Sequence, residues 1–384
     1  MRTGRIVLWV IVCLGVPWMA GAQTEWVDDP ANPVLGPGSG WDAWSYVNEV
    51  VLVDGTYHLF YMGQPEGSPL TLYWDIGHAT SPDGSNWTRD PANPVLVRDA
   101  GEWDSDSAAF PAVIHDGTEF RMWYVGTAGE VEAVGYATSP DGTTWTKHEG
   151  NPVMSSGPAG SFDDRSVWPG TVLFDGDTYR MWYTGERDID GYDWTIGYAE
   201  SDDGLSWTRR PEPVLVPDPA WNDFIVYAPA VVYDGSVYRM WYAANNRSFL
   251  SIGYAVSNDG IEWTHYWDNP VINRSEMFDV SAVIYDESIG SYRLWATGIS
   301  EEVFAFTSDC CDTIFPSIIP AAAYAAGAEG SFYETDLDLS NAGSSDVEYR
   351  FSWLPRGESN KDPVQSELFT LGSGQSVRYA NVLA

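Results

Sequence analysis

The chain has 384 residues, of which 55 are Asp or Glu and 19 are Lys or Arg, so its formal net charge at pH 7 is −36. A field this negative argues against nucleic acid or an anionic membrane surface as a partner. It fits a soluble extracellular protein, one adapted to salt, or one that binds cations.

The first 22 residues (1–22) resemble a secretory signal peptide. Arg2 and Arg5 precede an apolar stretch over residues 6–19, and the small residues Ala20-Gly21-Ala22 follow it. The apolar run is short for a helix that spans a bilayer, so cleavage after this segment is expected rather than anchoring. We therefore expect a mature protein that is secreted or released into the periplasm or extracellular space, with no membrane contact after cleavage.

A pattern of about sixty residues then recurs four times. Each copy contains Gly-Tyr/His-Ala-x-Ser-x-Asp-Gly-x-x-Trp-Thr, and its earlier half contains Asp-Gly before a strand-like run, in three copies Phe/Tyr-Arg-Met-Trp-Tyr. The four copies of the later half begin at Gly77, Gly135, Gly197 and Gly253. Asp-Gly between apolar runs favours tight hairpins, so each unit reads as four short antiparallel strands. Such an array predicts the blades of a β-propeller.

The number of blades follows from the two ends of the array. Four units run roughly over residues 45–97, 107–154, 166–216 and 226–272. A fifth begins at Val280 and stops near Ser308 without a fourth strand. Residues 26–35 match residues 87–96 almost one for one. We therefore predict an all-β, five-bladed propeller over residues 23–312, closed by an N-terminal strand that removes the open sheet edges.

The repeat ends before residue 313. Strand-like runs near residues 332–339, 347–353 and 366–371, separated by Gly, Asn, Ser and Pro, predict a small β-sandwich-like accessory unit over residues 313–384. The pattern leaves open whether that unit is complete at Ala384, and it offers no chemistry of its own.

The face opposite the Asp-Gly turns is the predicted functional face. Its loops vary in length and content, and they surround the channel entrance, whereas the turns are nearly uniform. Aromatic rings interleaved with carboxylates and amides suit sugars, because sugar C–H faces stack on rings while hydroxyl groups accept and donate hydrogen bonds. The candidate carbohydrate-binding residues are Trp44, Tyr46, Asn48, Trp74, Arg165, Trp168, Trp194 and Tyr227. The alternative is that many of the 20 Trp and 22 Tyr simply fill the space between blades.

Blade 1 departs from the repeat. Asn48-Glu49 stands where blade 2 has Phe110-Pro111, while His58 replaces the repeat's Arg and His78 replaces its Tyr. Glu49 begins an inner strand and should lie near the channel. A buried carboxyl group there would have a raised pKa suited to acid catalysis, or it could be a satisfied polar plug.

A propeller with these Gly-Tyr-Ala-x-Ser-x-Asp-Gly-x-x-Trp and Asn-Pro-Val-Leu signatures resembles the glycosidase superfamily of glycoside hydrolase families 43, 32, 62 and 130 over residues 24–308. The resemblance implies a carbohydrate partner and channel carboxylates, with an inverting pair roughly 6.5–9.5 Å apart. The resemblance further implies that Glu49 is the general acid. Asp106 or Asp164, which each lie a few residues before an inner strand, would then act as the base or adjust the pKa of the acid. The resemblance implies no cofactor and leaves a Ca²⁺ ion in the channel open.

Three hypotheses follow. The first is a secreted glycoside hydrolase-like protein acting on a polysaccharide or oligosaccharide. The second is a non-catalytic glycan-binding propeller, because most positions of the superfamily's carboxylates carry other residues. The third is a protein-interaction propeller for which sugar is irrelevant.

Overall fold

A computed structural model describes residues 26–308 apart from 70–72, 130, 188–192, 236, 248–249, 267–268 and 275–276, and outside this range it describes the backbone of seven short strands. The chain divides into two compact units, Gln23–Cys310 and Met1–Ala22 with Cys311–Ala384. All regular elements of the described residues are β-strands. No helix long and apolar enough to cross a membrane occurs among these residues.

The first unit is a five-bladed propeller, as the repeat predicts. Each blade is an antiparallel sheet whose strands follow chain order from the channel outward, except that the outer strand of blade 5 comes from the N-terminal end of the chain. From inner to outer strand, blade 1 consists of Trp44–Val53, Thr56–Gln64, Asp75–Ser81 and Thr88–Arg89. Blade 2 consists of Ser107–His115, Phe120–Ala128, Val131–Ser139 and Thr146–Lys147, and Met154–Ser155 also pairs with its third strand. In the same order, blade 3 consists of Ser166–Phe174, Tyr179–Glu186, Trp194–Ser201 and Thr208–Arg209; blade 4 of Ile225–Tyr233, Tyr238–Asn245, Leu250–Ser257 and Trp263–His265; and blade 5 of Met277–Asp286, Ser291–Gly298, Val303–Ser308 and Trp26–Asp28.

The N-terminal strand closes the ring, and this prediction is confirmed. Trp26–Asp28 pairs antiparallel with the third strand of blade 5, with Trp26 opposite Ser308. Leu35 forms a further bridge to Val303. The last blade therefore joins strands from both ends of the repeat array, and its third strand has no open edge.

The Asn-Pro signature has a specific structural role. In four blades the Asn side chain accepts a hydrogen bond from the N–H of a third-strand residue and donates one to the carbonyl of that same residue. The pairs are Asn32–Ala305, Asn93–His78, Asn151–Tyr136 and Asn269–Tyr254. Each Asn side-chain amide thus makes the two hydrogen bonds that a backbone residue of a paired strand would make. The third strand is therefore hydrogen-bonded beyond the end of the short outer strand.

The Ser-x-Asp-Gly turns join neighbouring blades. In each turn the Ser hydroxyl accepts the Gly N–H and the Asp carboxylate accepts two later N–H groups, as in Ser81 and Asp83. In three of the four turns the Gly carbonyl then accepts the indole N–H of a buried Trp in the preceding blade, as Gly84 does from Trp295 at 2.9 Å. Gly84 has a φ of 73°, and a Cβ there would lie 3.0 Å from that indole ring, so only glycine fits.

The second unit is described only by its backbone strands. Val347–Trp353, at the position predicted from the sequence, pairs antiparallel with Val10–Leu14 and with Phe369–Leu371. The rest of the predicted signal peptide lies outside the described residues, so its cleavage stays a prediction.

Candidate functional site: the channel mouth

The mouth of the channel is formed by the third residue of each inner strand. These residues are Tyr46, Ala109, Trp168, Tyr227 and Asp279 in blades 1 to 5. In every inner strand the pairing with the second strand then shifts by one residue. Such a bulge keeps the residue three positions later on the same side of the blade. In blade 1 that later residue is Glu49, which therefore lies below Tyr46 along the channel wall.

Glu49 is a deep carboxyl group that keeps part of its surface accessible, as expected for a residue on a channel wall. Burial raises its pKa to about 8, although hydrogen bonds from the N–H groups of Val50 and Val113 oppose the shift. The Val50 N–H lies 3.1 Å from Oε1. Glu49 therefore keeps its proton at pH 7.

Because of the bulge, Glu49 aligns with a different residue of the other blades than the sequence predicts. The pairing places Glu49 opposite Phe60, at the position that Ala112 and Thr171 occupy in blades 2 and 3, one residue beyond the predicted match with Pro111. The sequence could not show the shift, because the residue skipped in the pairing differs in type between blades, as Asn48, Gly170 and Ser281 show in blades 1, 3 and 5.

Thr171 shows what a polar side chain does at this position. Its hydroxyl donates to the carbonyl of Pro229 and accepts the N–H of Val231, each at 3.0 Å, and so bridges to the inner strand of blade 4. Glu49 makes the corresponding contact with Val113 in blade 2. The carboxyl group thus joins two blades in addition to facing the channel.

Asp279 is a second channel carboxyl group, and the sequence analysis missed it. Burial alone raises its pKa to about 8. Burial is the main cause of a raised pKa at both Tyr46 and Tyr227. Repulsion from Glu301 and then from Asp279 adds to the raised pKa of Tyr46, and repulsion from Asp279 adds to that of Tyr227. Burial also raises the pKa of Glu301. The signal for it in the sequence is an acid at the position where three other blades carry Tyr or Trp, but the repeat pattern begins the fifth unit one residue later, at Val280.

Aromatic side chains line the mouth in a nearly continuous series. Phe110 stacks on Trp168 with ring centroids 5.6 Å apart, and Trp194 meets Trp168 edge-on at 5.0 Å and Tyr227 at 5.3 Å. The indole N–H of Trp168 donates to Glu132 at 2.7 Å, which fixes the ring. Three of these four rings, Trp168, Trp194 and Tyr227, are predicted site residues, and the structure brings them together.

The predicted aromatic residues of blade 1 form a separate group. Tyr46 packs on Trp74 at 5.5 Å, and Trp44 and Tyr46 lie against a small cluster that includes Trp74 and Ala109. Trp74 is only 6% exposed, so it supports a binding surface by packing against Tyr46 rather than by contacting a ligand itself. Asn48 is the bulge residue, and its side-chain oxygen accepts the N–H of Met62 at 3.2 Å.

The remaining predicted residues lie on the crossings between blades. Asp106 accepts the N–H of Gly129, and Asp164 accepts the N–H of Gly160, each at 2.6 Å. Arg165 is exposed and lies 3.4 Å from Glu186. These contacts hold loops around the mouth, and a catalytic role for Asp106 or Asp164 stays a prediction.

The inner strands of blades 3 and 4 approach each other closely beneath the mouth. A Cβ on Gly170 would lie 2.5 Å from Pro229, so the two inner strands meet without room for a side chain. Phe110 and Ala228 adopt positive φ values of 49° and 48° at the same level. Strained backbone at a channel mouth is typical of functional sites.

The described residues contain no group of three or more His, Cys, Asp or Glu side chains that could hold a metal ion. The channel acids Glu49, Asp279 and Glu301 therefore do not form a ready cation site. A channel Ca²⁺ ion finds no support in this donor set.

Two family models match adjoining parts of the propeller. The glycosyl hydrolases family 32 N-terminal domain matches residues 45–168, and β-1,4-mannooligosaccharide phosphorylase, of family 130, matches residues 169–289. The two matches meet inside the inner strand of blade 3, so they cover one continuous propeller. The chain is a relative of the five-bladed propeller glycosidases. This confirms the resemblance, at the level of the superfamily, that the repeat signatures indicate.

Individual proteins and solved structures are also similar to this chain. An uncharacterized protein of Mycobacterium tuberculosis is 28% identical over 212 residues, 53% of this chain and 67% of that protein. The β-1,2-mannobiose phosphorylase of Thermoanaerobacter sp. is 34% identical over 77 residues, 16% of this chain and 25% of that enzyme. Among solved structures, a putative glycoside hydrolase from Parabacteroides distasonis has a TM-score of 0.60 at 17% identity, over 77% of this chain and 98% of its own. The structural likeness supports the fold.

Proposed function

We propose that the protein is an exported, carbohydrate-active propeller that binds a polysaccharide or oligosaccharide at the channel mouth and cleaves a glycosidic bond with Glu49 as general acid. One observation carries the proposal: Glu49, a carboxyl group whose pKa is raised by burial, lies on the channel wall below a mouth lined with aromatic rings. The matches to glycosidase families support the same class of substrate. Export rests on the signal-like segment of residues 1–22 alone.

The chemistry asked of Glu49 is a proton transfer to the glycosidic oxygen. As the C–O bond breaks, its electron pair leaves with that oxygen, which takes the carboxyl proton. Water adds to the anomeric carbon and gives its proton to a base. The N–H groups of Val50 and Val113 would then stabilise the new carboxylate, because hydrogen bonds to an anion are stronger than those to the neutral acid.

A second candidate is a glycan-binding propeller without catalysis. The observation that favours it is the shared position of Glu49 and Thr171, since each bridges its blade to the next. Asp106 and Asp164 likewise accept backbone N–H groups of nearby loops. In this case the carboxyl groups stabilise the blades, and the rings alone bind sugar.

The test is product release from a panel of polysaccharides, oligosaccharides and aryl glycosides at high protein concentration. Two variants accompany the wild type: Glu49→Gln, which keeps the shape, and Glu49→Thr, which carries the residue that makes the same bridge in blade 3. Both should fold, and both should lose on the order of 10²–10⁴ in rate because the acid is gone. The wild-type kcat/KM should be level below pH 8 and fall tenfold per pH unit above about 8.

Three outcomes separate the candidates. Undiminished cleavage by both variants would exclude Glu49 as the acid. Binding without products, weakened about tenfold by Trp168→Ala, would support the non-catalytic propeller. Absence of both binding and cleavage with every member of the panel would contradict the proposal and leave the protein-interaction propeller as the remaining hypothesis.

A further inference from the structure

Asp279 combines three properties that set it apart from the other acids of the propeller. It occupies the mouth position that Tyr46, Trp168 and Tyr227 occupy in other blades, it is deep yet partly accessible, and burial is the sole cause of its raised pKa. No hydrogen bond or ion pair to its carboxyl group occurs among the described residues. By contrast, Asp106 and Asp164 accept backbone N–H groups. A buried polar group without a protein partner costs free energy unless a ligand or water satisfies it.

The surroundings of Asp279 contain acids and phenols. Tyr227 faces it from blade 4 and Tyr46 from blade 1, with Glu301 near Tyr46. The five inner strands contain no Lys or Arg. Several cations of the outer loops already have acidic partners: Arg98 with Asp75, Arg165 with Glu186, and Arg187 with Asp193. The inner strands that form the walls of the mouth therefore offer an anionic ligand no cation. Arg247, on the loop after the second strand of blade 4, lies over the Phe224 ring at 4.0 Å from its centroid.

We infer that Asp279 contacts the bound saccharide by donating its carboxyl proton to a sugar hydroxyl group, and that the mouth selects uncharged sugars over phosphorylated or uronic ones. The inference rests on the proposed function and adds the substrate class. A protonated carboxyl group next to a phenol offers both hydrogen-bond donors and hydrogen-bond acceptors. A sugar hydroxyl group can likewise donate one hydrogen bond and accept others, so the two sets match. A phosphate or uronate would lie near Asp279, Glu49 and Glu301, and the inner strands provide no cation to compensate its charge.

The inference predicts a specific dependence of binding on pH. Glu49 titrates in the same range, so the measurement uses Glu49→Gln protein, which also cannot turn the sugar over. Affinity for an uncharged sugar should fall by roughly 30-fold between pH 6.5 and 9.5, as a group with a pKa of about 8 loses its proton. Asp279→Asn, added to this protein, keeps an N–H donor and should bind within about threefold of its parent at pH 6.5, with most of the pH dependence gone. Asp279→Ala should bind about tenfold more weakly at pH 6.5.

The experiment is isothermal titration calorimetry with β-1,2-mannobiose, β-1,4-mannobiose and sucrose as neutral probes, and mannose 6-phosphate and digalacturonate as anionic ones. Melting temperatures confirm that each variant is folded. Neutral probes should bind at least tenfold more tightly than anionic ones. Unchanged affinity and unchanged pH dependence in Asp279→Asn, or equal affinity for anionic probes, would overturn the inference while leaving the proposed function standing. Absence of binding to the wild type by every probe would overturn both.

Discussion

At the scale of single residues, one blade differs from others at two interacting positions, and the residue types at both positions change together. In blades 1 to 3 a buried Asp that follows an aromatic residue accepts a Tyr hydroxyl and pairs with a cation of the outer strand. The three ion pairs are Asp42–Arg89, Asp104–Lys147 and Asp163–Arg209. In blade 4 the same positions carry Asn222 and His265. The Tyr242 hydroxyl lies 2.8 Å from His265 Nδ1, and burial lowers the pKa of that ring, so the blade 4 cluster is neutral.

This exchange predicts strong coupling between the two positions. Asn222→Asp alone places a buried carboxylate beside a neutral imidazole and should lower the free energy of unfolding by about 3 kcal/mol at pH 8. Adding His265→Arg restores the pair found in blades 1 to 3 and should recover most of the loss. Urea unfolding of the wild type, both single variants and the double variant measures the coupling. Additive effects of the two changes would show that the positions do not interact.

At the scale of the blade, the interface between blades 1 and 2 is unlike the others. In blades 2 and 4 an Arg of the second strand donates to a Tyr hydroxyl of the third strand, as Arg121 does to Tyr136 at 2.8 Å. Blade 1 has His58 and His78 instead, with ring nitrogens 3.0 Å apart. Burial lowers the pKa of His58 to about 4, with repulsion from His78 and His115 adding to the shift, and burial also lowers the pKa of His78.

Both histidines are therefore neutral in the folded protein at neutral pH. Because their pKa values are higher in the unfolded chain, the unfolded state binds more protons as the pH falls, and stability should be lost from about pH 6.5 down to about pH 4. The variant His58→Arg/His78→Tyr introduces the repeat's own pair. Between pH 7 and pH 4.5 its melting temperature should fall less than that of the wild type, by a margin on the order of 3 °C because the His58 ring is partly exposed. Parallel melting curves at the two pH values would contradict this account of the interface.

At the scale of the whole molecule, closure joins the two ends of the propeller. Trp26 pairs with Ser308 and meets Trp241 edge-on at 5.9 Å, so the N-terminal strand contacts blades 4 and 5. Thr297 of blade 5 accepts the N–H of Val47 in blade 1 at 3.1 Å, which joins the inner strands at the same junction. Each junction between blades must form for the channel mouth to be complete.

Removal of the closing strand tests this arrangement. A chain that begins at Gly36 lacks the strand and the Asn32 side chain, so it exposes the edge of Val303–Ser308. Compared with a chain that begins at Gln23, its melting temperature should fall on the order of 10 °C. It should also associate through the free edge in size-exclusion chromatography. A monomer of unchanged stability would show that the strand contributes nothing to closure.

The sequence was sufficient for the fold because every blade repeats the same local signals. The Asp-Gly turns, the buried Trp and the match of residues 26–35 to residues 87–96 determine five blades and their closure. The site was less predictable. The contact of Glu49 with Val113 depends on the neighbouring blade and on a bulge at which the residue type varies between blades. Asp279 stands where other blades have an aromatic residue, and only the strand register identifies that position.

The most direct measurement of the central claim is a crystal structure of the Glu49→Gln protein with the saccharide that it binds most tightly. The account predicts a sugar in the channel mouth against Trp168 and Tyr227, with a glycosidic oxygen about 2.6–3.2 Å from the side chain of residue 49. A sugar bound on the outer surface of the blades, with the mouth empty, would contradict it.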